Sequence, residues 1–171
     1  MDGFDGLTGQ DTAALSLTAN GQAVPGDSTV TSQGREDTIE CLSFRMGAST
    51  GSASAALATS RRRYDTIVIR KRTDRSSPLL WHALVTNQVV EGTFRFFRPD
   101  PSGDGTTQQY YTVRFGQGRV SSVRHILPMT GLPDSSPVPL LDEVAFSFQT
   151  IRWTYEDGGI ETEDSLGASL R

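Results

Sequence analysis

The chain has 171 residues, 36% of them hydrophobic, and a formal net charge of -4; this supports one domain with a real core and argues against a general nucleic-acid binder. Cys41 is the only cysteine, which excludes an intrachain disulfide or a cysteine-built metal cluster, and no apolar run approaches the roughly 20 residues of a membrane helix. The Met1–Gly6 stretch has neither the basic start nor the apolar centre of a secretory signal, so the expectation is cytoplasmic folding and, if the protein leaves the cell, secretion without a cleavable signal.

Residues 1–12 are polar and glycine-containing and are read as a flexible N-terminal arm. Ala13 to Ala19 alternates Leu15 and Leu17 with Ser16 and Thr18 and ends at an Asn20-Gly21 turn signal, which predicts a strand. Pro25 to Arg35 has loop composition. Thr38 to Met46 predicts a second strand, with Ile39, Cys41, Ser43 and Arg45 on one face and Glu40, Leu42, Phe44 and Met46 on the other. Ala48 to Ser60 consists almost wholly of Ala, Ser, Thr and Gly, with Leu57 its one large side chain. Such a segment is a flexible loop or an extension whose small residues permit close approach to another surface.

A period-two strand is expected from Tyr64 to Arg72. Ser77 can then cap a helix, with Pro78 where a missing N–H costs nothing. Leu79, Leu80, Ala83 and Leu84 form its apolar stripe and Asn87 its stop. A helix of about ten residues needs tertiary packing to persist, so it is expected to dock on a β-framework. Strands follow at Val89 to Phe97, Gln108 to Phe115, Arg119 to Leu127 and Leu141 to Tyr155. In the last of these, Val144, Phe146 and Phe148 share one parity and Ile151, Trp153 and Tyr155 the other. An extra residue near Gln149-Thr150 would return both sets to one face as a β-bulge. The predicted fold is mainly β, an antiparallel β-barrel or closed two-sheet sandwich with one short docked α-helix. It spans residues 13–159, and residues 160–171 form an acidic flexible tail.

Candidate chemistry is sparse. His82 and His125 lack carboxylates or thiols at ligand spacing and are read as structural. Cys41 is read as a small buried apolar residue, and Asp100 to Gly105 as a tight hairpin connection rather than a calcium loop. Gly116-Gln-Gly118 does not follow a phosphate-binding pattern. No catalytic residue, metal or cofactor is assigned. Charge is more informative. Arg61, Arg62, Arg63, Arg70, Lys71, Arg72 and Arg75 stand against two acidic residues between positions 61 and 75, whereas positions 156–164 carry five acidic residues and no basic one. Such segregation suits head-to-tail self-association.

The central unit, with Lys71 closing a strand, Asp74 in the turn, and Ser77, Pro78, Leu80 and Ala83 opening and lining the helix, resembles the Hcp family of bacterial type VI secretion. The small-residue loop before Tyr64 and the parity change in the last strand extend the resemblance over about residues 13–159. It departs from the family pattern in the dozen residues ahead of the first strand and in the Arg61-Arg62-Arg63 run. The resemblance implies a structural protein, not an enzyme: homohexameric rings stacked into a tube inside a contractile sheath, capped by a VgrG-type spike and carrying small effector proteins. It also implies that an extended loop containing Ala48, Ser49, Gly51, Ser54 and Leu57, with Arg61, Arg62 and Arg63 at its base, reaches the neighbouring ring. A tail-tube subunit of a phage-like or extracellular contractile injection particle shares this architecture. From another class, a β-barrel module for carbohydrate or small ligands would need exposed aromatics, whereas Trp81 and Trp153 sit in apolar patterns.

Overall fold

A computed structural model of the chain describes residues 9–50, 62–131 and 137–167. Its strands are β1 (Thr12–Ala19), β2 (Gln22–Val24), β3 (Ile39–Cys41), β4 (Ser43–Arg45), β5 (Ala48–Thr50), β6 (Arg62–Tyr64), β7 (Ile67–Arg72), β8 (Val90–Pro99), β9 (Thr107–Ile126), β10 (Leu141–Ser147), β11 (Thr150–Tyr155) and β12 (Ile160–Ser165). One helix, α1 (Ser76–Val85), lies between β7 and β8. The strands pair antiparallel throughout, in the order β2-β1-β8-β9-β10-β7-β4.

Strand β9 organises this sheet. Its first half pairs with β8 on one side and β11 on the other, and its second half pairs with β10. The sequence predicts two strands here, broken at Gly116-Gln-Gly118, but the structure has one strand of 20 residues. Gly92 faces Phe115 and Val90 faces Gly118, so β9 carries an extra residue there. Gln117 takes φ 49°, which makes the Gly-Gln-Gly stretch a bulge inside a strand instead of its end. The Leu141 to Tyr155 prediction is met by β10 and β11, interrupted at Phe148-Gln149. Val144, Phe146, Phe148 and Ile151 are all buried, so the interruption does restore one inward face.

The Thr38 to Met46 reading needs correction. Ile39 and Cys41 are buried as expected, but the inward parity changes at Leu42-Ser43. Phe44 and Met46 then pack on the core, and Phe44 meets Phe94 and Phe96 edge to face with ring centroids 4.8 and 5.0 Å apart. The cause is a change of partner, because β3 pairs with β1 and β4 with β7. The predicted Tyr64 to Arg72 strand is likewise divided at Asp65-Thr66, where the Asp65 amide donates to the Gly47 carbonyl at 2.9 Å. Segment 160–165, expected to begin a tail, forms β12 against β11. Turn predictions hold. Asn20 and Gly21 both take positive φ in the β1–β2 hairpin, and Asp100 to Thr106 closes the β8–β9 hairpin through an Asp100 N–H bond to Thr106 O of 2.9 Å.

The core is built around Leu15, Ile39, Ile67, Ile69, Phe94, Phe115, Val144, Phe146 and Ile151, each 2% exposed or less. Gly92 is required by this packing: a Cβ there would lie 2.5 Å from a Phe115 ring carbon and 3.1 Å from Leu15 Cδ1.

Candidate functional site

Helix α1 begins at Ser76, two residues earlier than the Ser77 cap predicted from sequence would start it. Asp74 Oδ1 accepts the Ser76 N–H at 2.9 Å, and Ser77 Oγ accepts the Asp74 N–H at 3.0 Å. These reciprocal bonds act as a capping box. Pro78 stays within the first turn, whose amides lack helical partners. At the other end Asn87 adopts φ 52°, its N–H donating to Leu84 O and that of Gln88 to Ala83 O. That is a Schellman termination, as expected of Asn87. Leu80 and Ala83 are buried and Leu84 is half-buried, but Leu79 is exposed; Trp81 packs on the core instead.

Beneath this helix lies a buried charge network. Lys71 is fully buried, and its ammonium reaches Asp74 Oδ1 at 2.8 Å, Asp142 Oδ2 at 3.0 Å, Ser77 Oγ at 3.0 Å and Arg72 O at 2.8 Å. Asp142 is equally buried and accepts from Thr73 Oγ1 at 2.8 Å and from the Ser77 hydroxyl. Burial alone would push the Asp142 carboxyl up, but bonds from Ser77, Thr73, Lys71 and His125 together outweigh it and hold the group below the usual range. The helix start, β7 and β10 are thereby joined at one point.

His125 continues the network outward. Its Nδ1 lies 2.6 Å from Asp142 Oδ1, and the Trp81 indole N–H donates to its Nε2 at 2.9 Å. An indole can only donate, so Nε2 must accept and the imidazole proton sits on Nδ1, facing Asp142. An Asp-His pair is part of a nucleophilic triad, but here the nitrogen that would activate a nucleophile holds Trp81. The arrangement fastens a helix to a sheet. His82 is exposed on α1, and Cys41 is buried, its thiol pushed up to about 12 mainly by burial. Among the described residues no cluster of His, Cys, Asp and Glu could hold a metal ion, and no helix is long and apolar enough to cross a membrane.

Of the residues expected at the stacking loop, Ala48 and Ser49 lie on exposed β5, while Arg62 and Arg63 lie on β6. Gly51, Ser54, Leu57 and Arg61 fall outside the described residues. Arg62 is exposed but paired. Its Nη2 donates to Asp164 Oδ1 at 2.7 Å and its Nε to Asp164 Oδ2, while the Tyr64 hydroxyl donates to the same Oδ2 at 2.6 Å. Arg62 and Tyr64 hold the Asp164 carboxyl below the usual range. Tyr64 also stacks on Trp153 at 6.3 Å, so the hairpin base is joined to β11 and β12.

The exposed face of β1, β8, β9, β11 and β12 carries a groove of about 1160 Å³. Ser16, Thr93, Arg114, Arg152 and Glu163 cross it as one register row. Arg152 pairs with Glu163 at 2.7 Å, and Arg114 donates to Thr93 Oγ1 at 3.3 Å. Sequence reasoning missed both the Lys71–Asp142 and the Arg62–Asp164 pairs. A signal for the first existed: Lys71 shares the parity of Ile67 and Ile69, and Asp142 that of Val144 and Phe146, so each charge sits on an apolar face.

These features define a class, a β-protein whose ionisable groups lock elements together. The model of the family described as "Type VI secretion system effector, Hcp" matches residues 16–155, and the chain belongs to that family. The "Major exported protein" of Pseudomonas aeruginosa is 27% identical over 107 residues, 62% of this chain and 61% of that protein, so the match spans about three fifths of the curated relative. Among solved structures, a doubly substituted Hcp1 protein from E. coli EAEC 042 superposes with a TM-score of 0.77 at 23% identity, covering 91% of this chain and 98% of that one. The secreted protein Hcp3 from Pseudomonas aeruginosa gives 0.71 at 20% identity, covering 91% and 97%. At these identities the structures establish a common fold.

Proposed function

We propose that this protein is the tube subunit of a type VI secretion system. Six copies form a ring, rings stack into a tube within a contractile sheath behind a VgrG-type spike, and small effectors travel with it. Assembly takes place in the cytoplasm before export. The observation that carries this reading is membership of the Hcp family over residues 16–155. The pairing of strand 39–45 supports the underlying architecture. Its first half binds β1 and its second half binds β7, so this segment bridges two strands that the run through β8, β9 and β10 also connects, which supports the curved antiparallel sheet that this reading requires. The pinned helix supports it too, because a tube expelled by its sheath must transmit force without yielding.

In this reading the segment 48–63 meets the next ring. Light scattering with negative-stain imaging tests the proposal. A mass of six chains and ring-shaped particles that lengthen into tubes at high concentration are expected; a mass of one chain across micromolar concentrations would overturn it.

A further inference from the structure

The bond between Trp81 and the sheet depends on one lone pair. Trp81 donates its indole N–H to His125 Nε2 at 2.9 Å, and the two rings meet tilted by 45° with centroids 5.4 Å apart. An indole nitrogen donates and never accepts, so the contact exists only while Nε2 carries no proton. The other ring nitrogen faces Asp142 Oδ1 at 2.6 Å and can keep its proton in either charge state of the imidazole. The His125 side chain is 44% exposed, so solvent protons reach the ring without any opening of the core.

The surroundings of the ring decide what an added proton does. Across the ladder stands Asp142 of β10, with Lys71 of β7 behind it and Asp74 beyond Lys71 at the helix start. From α1 the ring meets Trp81, and the exposed His82 follows on the helix. Arg124 and its register partner Glu143 alternate onto the opposite face, where Arg70 pairs with Glu143. An imidazolium therefore keeps Asp142 as its counter-ion on the sheet. Its new Nε2–H confronts the Trp81 N–H, donor against donor, at the indole edge where positive charge lies.

We propose that His125 is a proton-operated latch on α1. Neutral, it bridges Asp142 and Trp81; protonated at Nε2, it stays with Asp142 and lets Trp81 go. The start of the helix is held by other bonds, because Lys71 and Ser77 donate to Asp142 Oδ2 whereas His125 uses Oδ1. Leu80 and Ala83 also remain buried. What loosens is the stretch after Trp81, toward Asn87, and the half-buried indole turns to water. The device belongs to the single folded chain and does not rest on the assembly reading.

Trp153→Phe leaves Trp81 as the sole tryptophan, and its emission is followed from about pH 8 to pH 5, the range in which histidine side chains titrate and which lies above that of Asp142. Hydrogen exchange of the unmodified chain, corrected for the intrinsic rate at each pH, reads the amides of residues 82–86 over the same range. A reversible red shift is expected, together with a loss of protection of about fivefold, that of one ordinary hydrogen bond. His82→Gln should keep both responses. His125→Gln, whose amide oxygen can accept from Trp81 without titrating, should abolish both. Constant emission and constant protection in the parent overturn the latch, as does a response that survives His125→Gln or disappears with His82→Gln. Where His125→Gln does not fold, the parent's response and its survival in His82→Gln decide.

Discussion

Lys71 and Asp142 are register partners across the β7–β10 ladder, both fully buried, with Nζ and Oδ2 3.0 Å apart. Two opposite charges occupy adjacent positions on the inner face of the sheet, and the first turn of α1 closes over them. Replacing one partner of such a pair leaves the other charge buried without compensation, which costs about 3–5 kcal/mol. Lys71→Met is therefore expected to lower the urea midpoint strongly, even though the new side chain is apolar and of similar length. Equilibrium unfolding followed by tryptophan fluorescence measures it, and a loss below about 1 kcal/mol would contradict the assignment.

The pH dependence follows from Asp142. Its carboxyl is depressed in the folded protein, so its contribution is fully present above the unfolded value of about 3.9 and is lost as pH falls through the lower folded value. Stability should decline on acidification below about pH 4, the unfolded reference. Asp142→Asn, less stable at neutral pH, should show a shallower decline. Asp164 is depressed in the same direction, so some slope remains. Urea midpoints collected from pH 7 to pH 3 check both points.

The two histidines should behave differently. His125 accepts from Trp81 and holds Asp142, so His125→Leu removes a partner from each and is expected to destabilise by at least about 1 kcal/mol. Trp81 emission should shift as its indole loses its acceptor. His82 is exposed on α1, and His82→Gln should fall within about 0.5 kcal/mol of the parent. Equal effects from the two substitutions would show that the Trp81 contact does not hold the helix.

Gly92 tests the packing. A methyl group there must displace the Phe115 ring, so Gly92→Ala should destabilise by about 1–3 kcal/mol through overpacking. Thermal unfolding measures this. Restoration by Phe115→Leu in the Gly92→Ala background would identify the clash as the cause.

Labelling offers a check without mutation. Cys41 is buried with its thiol pushed up to about 12, and Lys71, the sole lysine, is buried as well. Neither should react with thiol or amine reagents at pH 8 until the protein unfolds, and both should then react together. Mass analysis across a urea series reads the two sites separately; reaction of either in the folded protein would place it at the surface.

Much of this fold was legible because strands and helix ends follow local backbone geometry. Leu15 and Leu17, Ile67 and Ile69, and Val144, Phe146 and Phe148 disclose their faces by period two alone. Asn20-Gly21 closes a hairpin and Asn87 ends a helix because both places need the left-handed backbone that Asn and Gly tolerate. The resemblance carried by Lys71, Asp74, Ser77, Pro78, Leu80 and Ala83 led to the Hcp family; of these, Lys71, Asp74 and Ser77 form the buried network, while Leu80 and Ala83 pack the helix on the core.

What remained hidden depends on neighbours distant in sequence. Gly116-Gln-Gly118 reads as a turn in isolation and becomes a bulge because β8 runs past it on one side. Leu42 divides a strand because β1 and β7 claim its two halves. The acidic segment 160–165 has no apolar alternation to mark it and becomes β12 only because β11 offers an unpaired edge. Arg62 looks like one charge in a basic run, yet its partner Asp164 lies 102 positions away. A sequence determines how each segment can bend and which face it buries, since those follow from its own side chains; which charges meet is decided only when the strands that carry them are brought side by side.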